Sequence, residues 1–254
     1  MISGLDFMLA GLTAVAAGAI NALAGGGTLI TFPTLLAIGI PPISANVTNT
    51  IALCPGFMGG ILGQLKDLSG QGRRFWMFLS ASAIGGVIGS ILLLRTGERA
   101  FQAIVPFLIL TASCLLAVQG LLRIWLVRRS TRLEAKSRSQ IWAVILVGLV
   151  AIYGGYFGVA MSVVVLSLLG FMINDTLTRL NAIKQTVAFG ANGAAAVLFI
   201  FSGKIVWLMA LVMAVGALVG GSLGGRLASH IKPDTLRWTV VSIGLVLSIV
   251  YFTR

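Results

Sequence analysis

The same landmarks recur along this chain at one fixed interval of 131 residues. Gly27 pairs with Gly158, Gly39 with Gly170, Gly59 with Gly190 and Trp76 with Trp207, while Gly85 and Gly89 pair with Gly216 and Gly220 and Arg95 with Arg226. The alignment needs no gap over about 70 residues, and the residues between landmarks mostly differ, which marks an old duplication rather than low complexity. A duplication restricts the fold to two related halves. When the duplicated stretches are apolar, it is the signature of a transporter built from repeats.

Composition identifies the solvent. The chain of 254 residues is 58% hydrophobic and 9% charged, with mean hydropathy +1.04, whereas a soluble domain is about 25% charged. Thirty-two glycines would weaken helices in water but suit membrane helices, which pack closely through small residues. The expected fold is therefore an all-α polytopic membrane protein in two sequence-related halves. A net charge of +12 would point a soluble protein toward nucleic acid. Here the basic residues form no stripe with interleaved aromatics and sit in loops, where they report orientation; nucleic acid is not an expected partner. Cys54 and Cys114 lie far apart in apolar stretches and read as packing residues, not as a disulfide or metal site. The opening MISGLDFMLA has no basic region or small-residue cleavage site and reads as the start of the first helix.

Apolar segments of roughly 20 residues cross a bilayer as helices, and they are expected near 4–23, 45–65, 75–94, 101–122, 141–157, 181–201, 205–225 and 237–252. Two further apolar pieces, 28–38 and 159–169, would each cover roughly 16 Å, about half the hydrocarbon core. They occupy equivalent points of the two repeats, and each follows a Gly-rich break: Ala24-Gly25-Gly26-Gly27 in the first, Tyr153-Gly154-Gly155-Tyr156-Phe157-Gly158 in the second. Short, Gly-interrupted segments at corresponding positions are the best sequence pointer to a transporter binding site. The chain thus divides into a first transmembrane repeat (1–122), a basic linker (123–140) and a second repeat (141–254).

The linker RIWLVRRSTRLEAKSRSQ carries Arg123, Arg128, Arg129, Arg132, Lys136 and Arg138 against one Glu134, which makes it cytoplasmic; a lipid-headgroup contact is an additional role it could serve. With the linker inside, two topologies can be compared. If each broken segment counts as one crossing, Lys66, Arg73, Arg74, the linker residues, Lys204 and Arg254 are inside, 11 in all, and Arg95, Arg99, Arg179, Arg226, Lys232 and Arg237 are the 6 outside. If each broken segment counts as two, the inside set gains Arg179, Arg226, Lys232 and Arg237 and loses Lys204 and Arg254, giving 13 inside and 4 outside, with Lys184 omitted from both counts. The second topology fits the positive-inside rule better. It gives each half an odd number of segments, so the halves are expected to be inverted repeats. The count does not distinguish short pieces that span from ones that re-enter.

The acidic residues Asp6, Asp67, Glu98, Glu134, Asp175 and Asp234 all fall at segment ends or in loops. Intramembrane carboxylates mark proton relays and cation sites, so their absence argues against a cation transporter and a carboxylate-based membrane enzyme. His230, beside Lys232, reads as a loop residue, with no second metal ligand near. No Ser-His-Asp order, HExxH or phosphate-cradling motif is present; an enzyme, a cofactor and a metal are not expected. Lys184 stands out, one turn into an apolar helix within LNAIKQTVAFGANG. A lysine there snorkels to the interface or faces a polar cavity, where it could bind an anion. Asn181 shares its face, and Gln185 follows. The equivalent stretch ANVTNTIALC offers Asn46, Thr48, Asn49 and Thr50, as donors to an oxyanion or as caps of the helix beginning there. Asn192 is a further polar candidate, or a partner in a helix–helix hydrogen bond. Backbone N–H groups freed at Gly25, Gly26 and Gly27 and at Gly154, Gly155 and Gly158 could bind an anion at the start of a half-helix. The Gly85/Gly89, Gly216/Gly220 and Gly221/Gly225 pairs read instead as close packing. Tyr153 and Tyr156 either line the cavity or sit in an aromatic belt.

At these residues the chain resembles the TauE/SafE sulfite exporter family. The resemblance rests on GGGTLITFPTLLAIGIPPISANVTNT, on YGGYFGVAMSVVVLSLLG followed by LNAIKQ, and on the tail VGALVGGSLGGRLASHIKPDTLRWTVVSIGLVLSIVYF. It covers nearly the whole chain. Pro41-Pro42 follows the first half-helix as in relatives, while Asn49-Thr50 stands where a Thr-Ser pair is common. The resemblance implies a multi-pass permease of the bacterial inner membrane that handles sulfite or a related organosulfur anion. The expected partners are a small anion and lipid, and a homodimer is compatible with the sequence. The expected mechanism is alternating access by a secondary transporter, with an anion channel, a membrane enzyme and a scaffold as the competing classes.

Overall fold

The structure, a computed structural model, describes the backbone of residues 3–23, 25–130, 140–227 and 233–252, and the side chains of 3–21, 25–120, 140–223, 238, 240–246 and 248–249. The described residues form α1 (Gly4–Leu23), α2 (Thr28–Ala37), α3 (Pro42–Gly63), α4 (Leu65–Leu68), α5 (Gly72–Thr96), α6 (Glu98–Ser130), α7 (Gln140–Tyr156), α8 (Met161–Met172), α9 (Leu177–Ile200), α10 (Trp207–Leu227) and α11 (Pro233–Phe252), with no strand among them. Every expected segment is present, the two short ones included. The single turn α4 was not anticipated, and α6 runs beyond residue 122 into the basic stretch, through Ser130. The rest of the linker (131–139), His230 and Lys232 lie outside the described residues.

Gly4–Asn21, Gly72–Thr96, Glu98–Gly120 and Leu177–Ile200 are long and apolar enough to cross a membrane by length and composition. The helix α3 is long enough, but Asn46, Thr48, Asn49 and Thr50, all buried, hold its hydropathy down. It enters on Pro41-Pro42, a proline pair suited to a helix start because the first N–H groups have no intrahelical partner. The start of α9 is capped by Thr176, whose hydroxyl accepts from the Arg179 N–H at 3.4 Å.

Two helix pairs pack backbone to backbone. A Cβ added at Gly18 of α1 would collide with the Ala217 carbonyl of α10, and one at Gly220 with the Val15 carbonyl. Gly85 and Gly89 of α5 stand in the same way against the Gly148 and Ile152 carbonyls of α7. The Gly85/Gly89 and Gly216/Gly220 pairs therefore allow close helix approach, as their spacing predicted, while Gly225 of the Gly221/Gly225 pair lies outside the residues whose side chains are described.

These two interfaces are equivalent, but not at the spacing of the landmarks. Gly11 faces Val212 and Gly148 faces Ala81; Gly18 faces the Ala217 carbonyl and Gly155 the Gly86 carbonyl. The α10 and α5 partners are 131 residues apart, yet the α1 and α7 partners are 137 apart. The first repeat thus has six extra residues between Gly18 and Gly27, and the two Gly-rich breaks, which looked alike in sequence, are built differently.

Exchanging the repeats (α1 with α7, α2 with α8, α3 with α9, α5 with α10, α6 with α11) maps the principal helix pairs onto one another. The pairs α1–α10 and α5–α7 interchange, as do α5–α9 and α3–α10, while α3–α9 and α6–α11 map onto themselves. In the α3–α9 pair, Gln64 meets Asn181, Gly60 meets Gln185 and Gly193 lies beside Cys54. Rising numbers on one helix meet falling numbers on the other, so these equivalent helices run antiparallel.

Polar contacts tie the connections into two groups. Asp175 pairs with Arg74 at 2.7 Å and with Arg179 at 3.1 Å, and Arg179 donates to the Ser69 carbonyl at 3.3 Å. These contacts hold the 64–71 and 173–176 connections at one end. At the other, the Ile43 N–H donates to Glu98 at 2.8 Å and the Val206 N–H to the Thr48 hydroxyl at 3.1 Å. Arg179 therefore shares an end with Arg73 and Arg74, while Arg99 and Lys204 belong to the opposite one, the grouping of the second topology above.

Candidate functional site

At the first break the chain turns through left-handed glycines, Gly25 at φ 82° and Gly26 at φ 93°. The Asn21 side chain accepts from the Gly27 N–H at 2.8 Å, and Gly27 abuts the Ala17 backbone so tightly that a Cβ would collide with its carbonyl. The short α2 thus starts level with the middle of α1 and returns along it.

The second break is tighter. The Phe157 and Gly158 N–H groups both donate to the Tyr153 carbonyl, at 2.9 and 3.1 Å. Gly158 has φ 72°, and Ala160, the residue before α8, has φ 57°. A left-handed alanine costs about 1–2 kcal/mol, so its surroundings must hold it. The Tyr153 hydroxyl spans the turn and donates to the Val159 carbonyl at 2.7 Å, and Val159 and Ala160 are buried. Tyr153 is thus a strut across the break, and its hydroxyl is not in an aromatic belt.

The two breaks meet inside the protein. A Cβ at Gly25 would lie 3.3 Å from the Cβ of Ser162, in the first turn of α8. Phe157, from the second break, lies edge-on to Phe32 of α2 at 5.2 Å and to Phe101 of α6 at 6.0 Å. Three buried rings from both halves thereby fix the breaks against each other.

Asparagines flank the second break. Asn46 donates from Nδ2 to the Tyr156 carbonyl at 2.9 Å, and Gly158 lies beside the Asn192 amide, whose Nδ2 donates to the Ala188 carbonyl at 2.8 Å. Asn49 is one turn along α3 from Asn46 and is 2% exposed. The Thr50 hydroxyl donates to the Asn46 carbonyl at 2.9 Å. Gly154 faces Met161 and Ala191, and Gly155 faces the Gly86 backbone; both sit in helical packing within α7 rather than in an open turn.

The Asn181–Gln185 group lies elsewhere. Asn181 donates to Gln64 at 2.9 Å, and Gln185 occupies the space left by Gly60. Lys184 is 4% exposed and forms no ion pair or hydrogen bond among the described residues. Because α3 and α9 are antiparallel, Asn181 meets Gln64 and not its equivalent Thr50, which is 14 residues and roughly 21 Å away along α3. The candidate residues therefore form two clusters, one at the breaks and one toward the end that carries Arg74 and Asp175. Sequence reasoning missed Asn21 and Gln64, single polar residues near helix ends whose partners only the fold reveals.

Two repeated halves whose interrupted helices meet in the interior define a polytopic helical membrane transporter. The chain belongs to the sulfite exporter TauE/SafE family, which it matches over residues 10–251. It is 30% identical to a probable membrane transporter protein of Haemophilus influenzae, over 90% of this chain and 88% of that one. It is 28% identical to the probable membrane transporter protein YfcA of Escherichia coli K12, over 98% and 90% of the two chains, and to ORF9 of a Sinorhizobium species, also named a probable membrane transporter protein, over 94% and 89%. No solved structure matches.

Proposed function

We propose that this transporter moves a small anion, sulfite or a related sulfonate, by alternating access between halves inverted in the bacterial inner membrane. The observation that carries this reading is the contact of Gly25 with Ser162, which brings the starts of α2 and α8 together. A helix N-terminus has unpaired N–H groups and about half a positive charge, so two converging starts attract an anion without a carboxylate or metal. Lys184 adds a full charge along the route that anion would take toward the Arg74 end. The antiparallel α3–α9 pair and the matched helix pairs support inversion. The grouping of Arg73, Arg74 and Arg179 supports a cytoplasmic assignment for that end, and for the linker, because α7 starts beside the start of α5.

The test is uptake of labelled sulfite, sulfoacetate and small carboxylates into proteoliposomes, with Lys184→Gln as the variant. Saturable transport of one sulfur anion, reduced about tenfold or more by the loss of one charge-assisted contact, is the expected result. Transport of every tested anion at an unchanged rate in Lys184→Gln would remove Lys184 from the route. Absence of any anion transport by the wild type would overturn the substrate class.

A further inference from the structure

We infer that the second break carries a binding site for a small monovalent cation, built by the amide oxygens of Asn46 and Asn49 and the carbonyl end of α7. The inference rests on the transporter reading above and extends it to the coupling ion.

The starting point is two buried acceptors with nothing to accept. Asn46 and Asn49 are 1% and 2% exposed. Their Oδ1 atoms are fully buried and receive no hydrogen bond among the described residues. The orientation of Asn46 is fixed chemically, because its other amide atom contacts the Tyr156 carbonyl at 2.9 Å. A carbonyl only accepts, so that atom is Nδ2 and the oxygen is left over. Asn49 forms no side-chain hydrogen bond at all among the described residues. A buried amide left unpaired is costly, and more so away from water. The two unpaired oxygens belong to residues three apart on one face of α3.

The neighbouring backbone has the same polarity. Asn46 reaches Tyr156, the last residue of α7, where helix carbonyls have no intrahelical donor and the helix end carries partial negative charge. Hard cations take such oxygen ligands, and discontinuous transporter helices use their carbonyl ends to hold the coupling ion while the positive starts hold the anion. At this break α7 ends and α8 begins within a few residues. The two kinds of terminus are therefore adjacent.

The chemistry of the ligands selects the ion. Amides do not titrate in the physiological range, so a proton is not the occupant. All the ligands are neutral, which disfavours a divalent ion and suits a monovalent one. A bound anion at the converging helix starts would offset the cation's charge, so each would raise the other's affinity by the same factor.

The experiment measures cation binding without transport. Thermal unfolding of the detergent-purified protein is followed as NaCl replaces choline chloride at constant ionic strength, with KCl and LiCl as parallel series. A saturable rise in Tm with Na+, shifted about tenfold or more to higher concentration in Asn49→Leu, is expected. If the amide merely packs, Asn49→Leu changes stability equally in all salts, and that result overturns the site. Asn49→Asp, which folds with a carboxylate in place of the amide, is expected to tighten Na+ binding; an unchanged or lost response there also counts against the site. Equal curves for NaCl and choline in the wild type would overturn it outright. Anion uptake persisting without alkali cations would leave the transporter reading standing while the cation site fell.

Discussion

The closest approaches in the molecule predict a sharp difference between two chemically identical substitutions. A Cβ at Gly89 would collide with the Ile152 carbonyl and lie 2.7 Å from the Tyr156 nitrogen, whereas one at Gly59 meets nothing within 4 Å. The obstruction at Gly89 is backbone and cannot rotate away. Restoring an ordinary contact of 3.4 Å or more requires α5 and α7 to separate locally by about an ångström, which lies at the upper end of the roughly 1–3 kcal/mol cost of overpacking. Replacing glycine by alanine inside a helix returns about 0.5–1 kcal/mol. Gly89→Ala should therefore lose about 2 kcal/mol net, and Gly59→Ala should gain up to about 1. For a chain of this size 1 kcal/mol moves Tm by about 2–4 °C. The two variants are thus expected to unfold roughly 6–12 °C apart when followed by tryptophan fluorescence in detergent. Gly220→Ala, which meets the Val15 carbonyl, should behave like Gly89→Ala. Gly89→Ala and Gly59→Ala unfolding within about 2 °C of each other, under 1 kcal/mol on that scale, would refute the claim that backbone contact sets these interfaces.

Tyr153→Phe removes the hydroxyl that reaches the Val159 carbonyl and should lower stability by about 1–3 kcal/mol, the cost of an unpaired buried acceptor; a Tm equal to that of the wild type would show that the strut is dispensable. In a background lacking Cys54 and Cys114, cysteines at the exposed positions Ser69 and Asn174 should react with an impermeant maleimide from one side of the membrane, and one at Ala100 from the other. Labelling of Ser69→Cys and Asn174→Cys from opposite sides would contradict the Arg74–Asp175–Arg179 contacts.

What the sequence disclosed and what it hid follow from one geometric fact. Hydropathy and glycine spacing are local, so all the apolar segments and both breaks were legible from residue type alone. The charge count also favoured the end grouping that Arg74, Asp175 and Arg179 form. Repeat equivalence, by contrast, says which residues play the same part, not which residues touch. Between antiparallel copies, equivalents meet only where the helices cross. The contacts of Gln64 with Asn181, Gly60 with Gln185 and Cys54 with Gly193 place that crossing near Phe57 and Ala188, which pack in one cluster. Thr50 and Asn181 are each seven residues from it, on opposite sides, and are therefore carried to opposite ends of the pair. This is why Lys184, between Asn181 and Gln185 on the stretch that meets Gln64 and Gly60, lies away from Asn49 and Thr50. The six extra residues of the first break were hidden for a related reason. They fall upstream of Gly27, where the fixed spacing has already ended, and only the partners of Gly11, Gly18, Gly148 and Gly155 reveal them. The second break, with no such slack, is the one that has to be held by a tyrosine strut and a left-handed alanine. It is also the one beside which two asparagine oxygens are left without a donor.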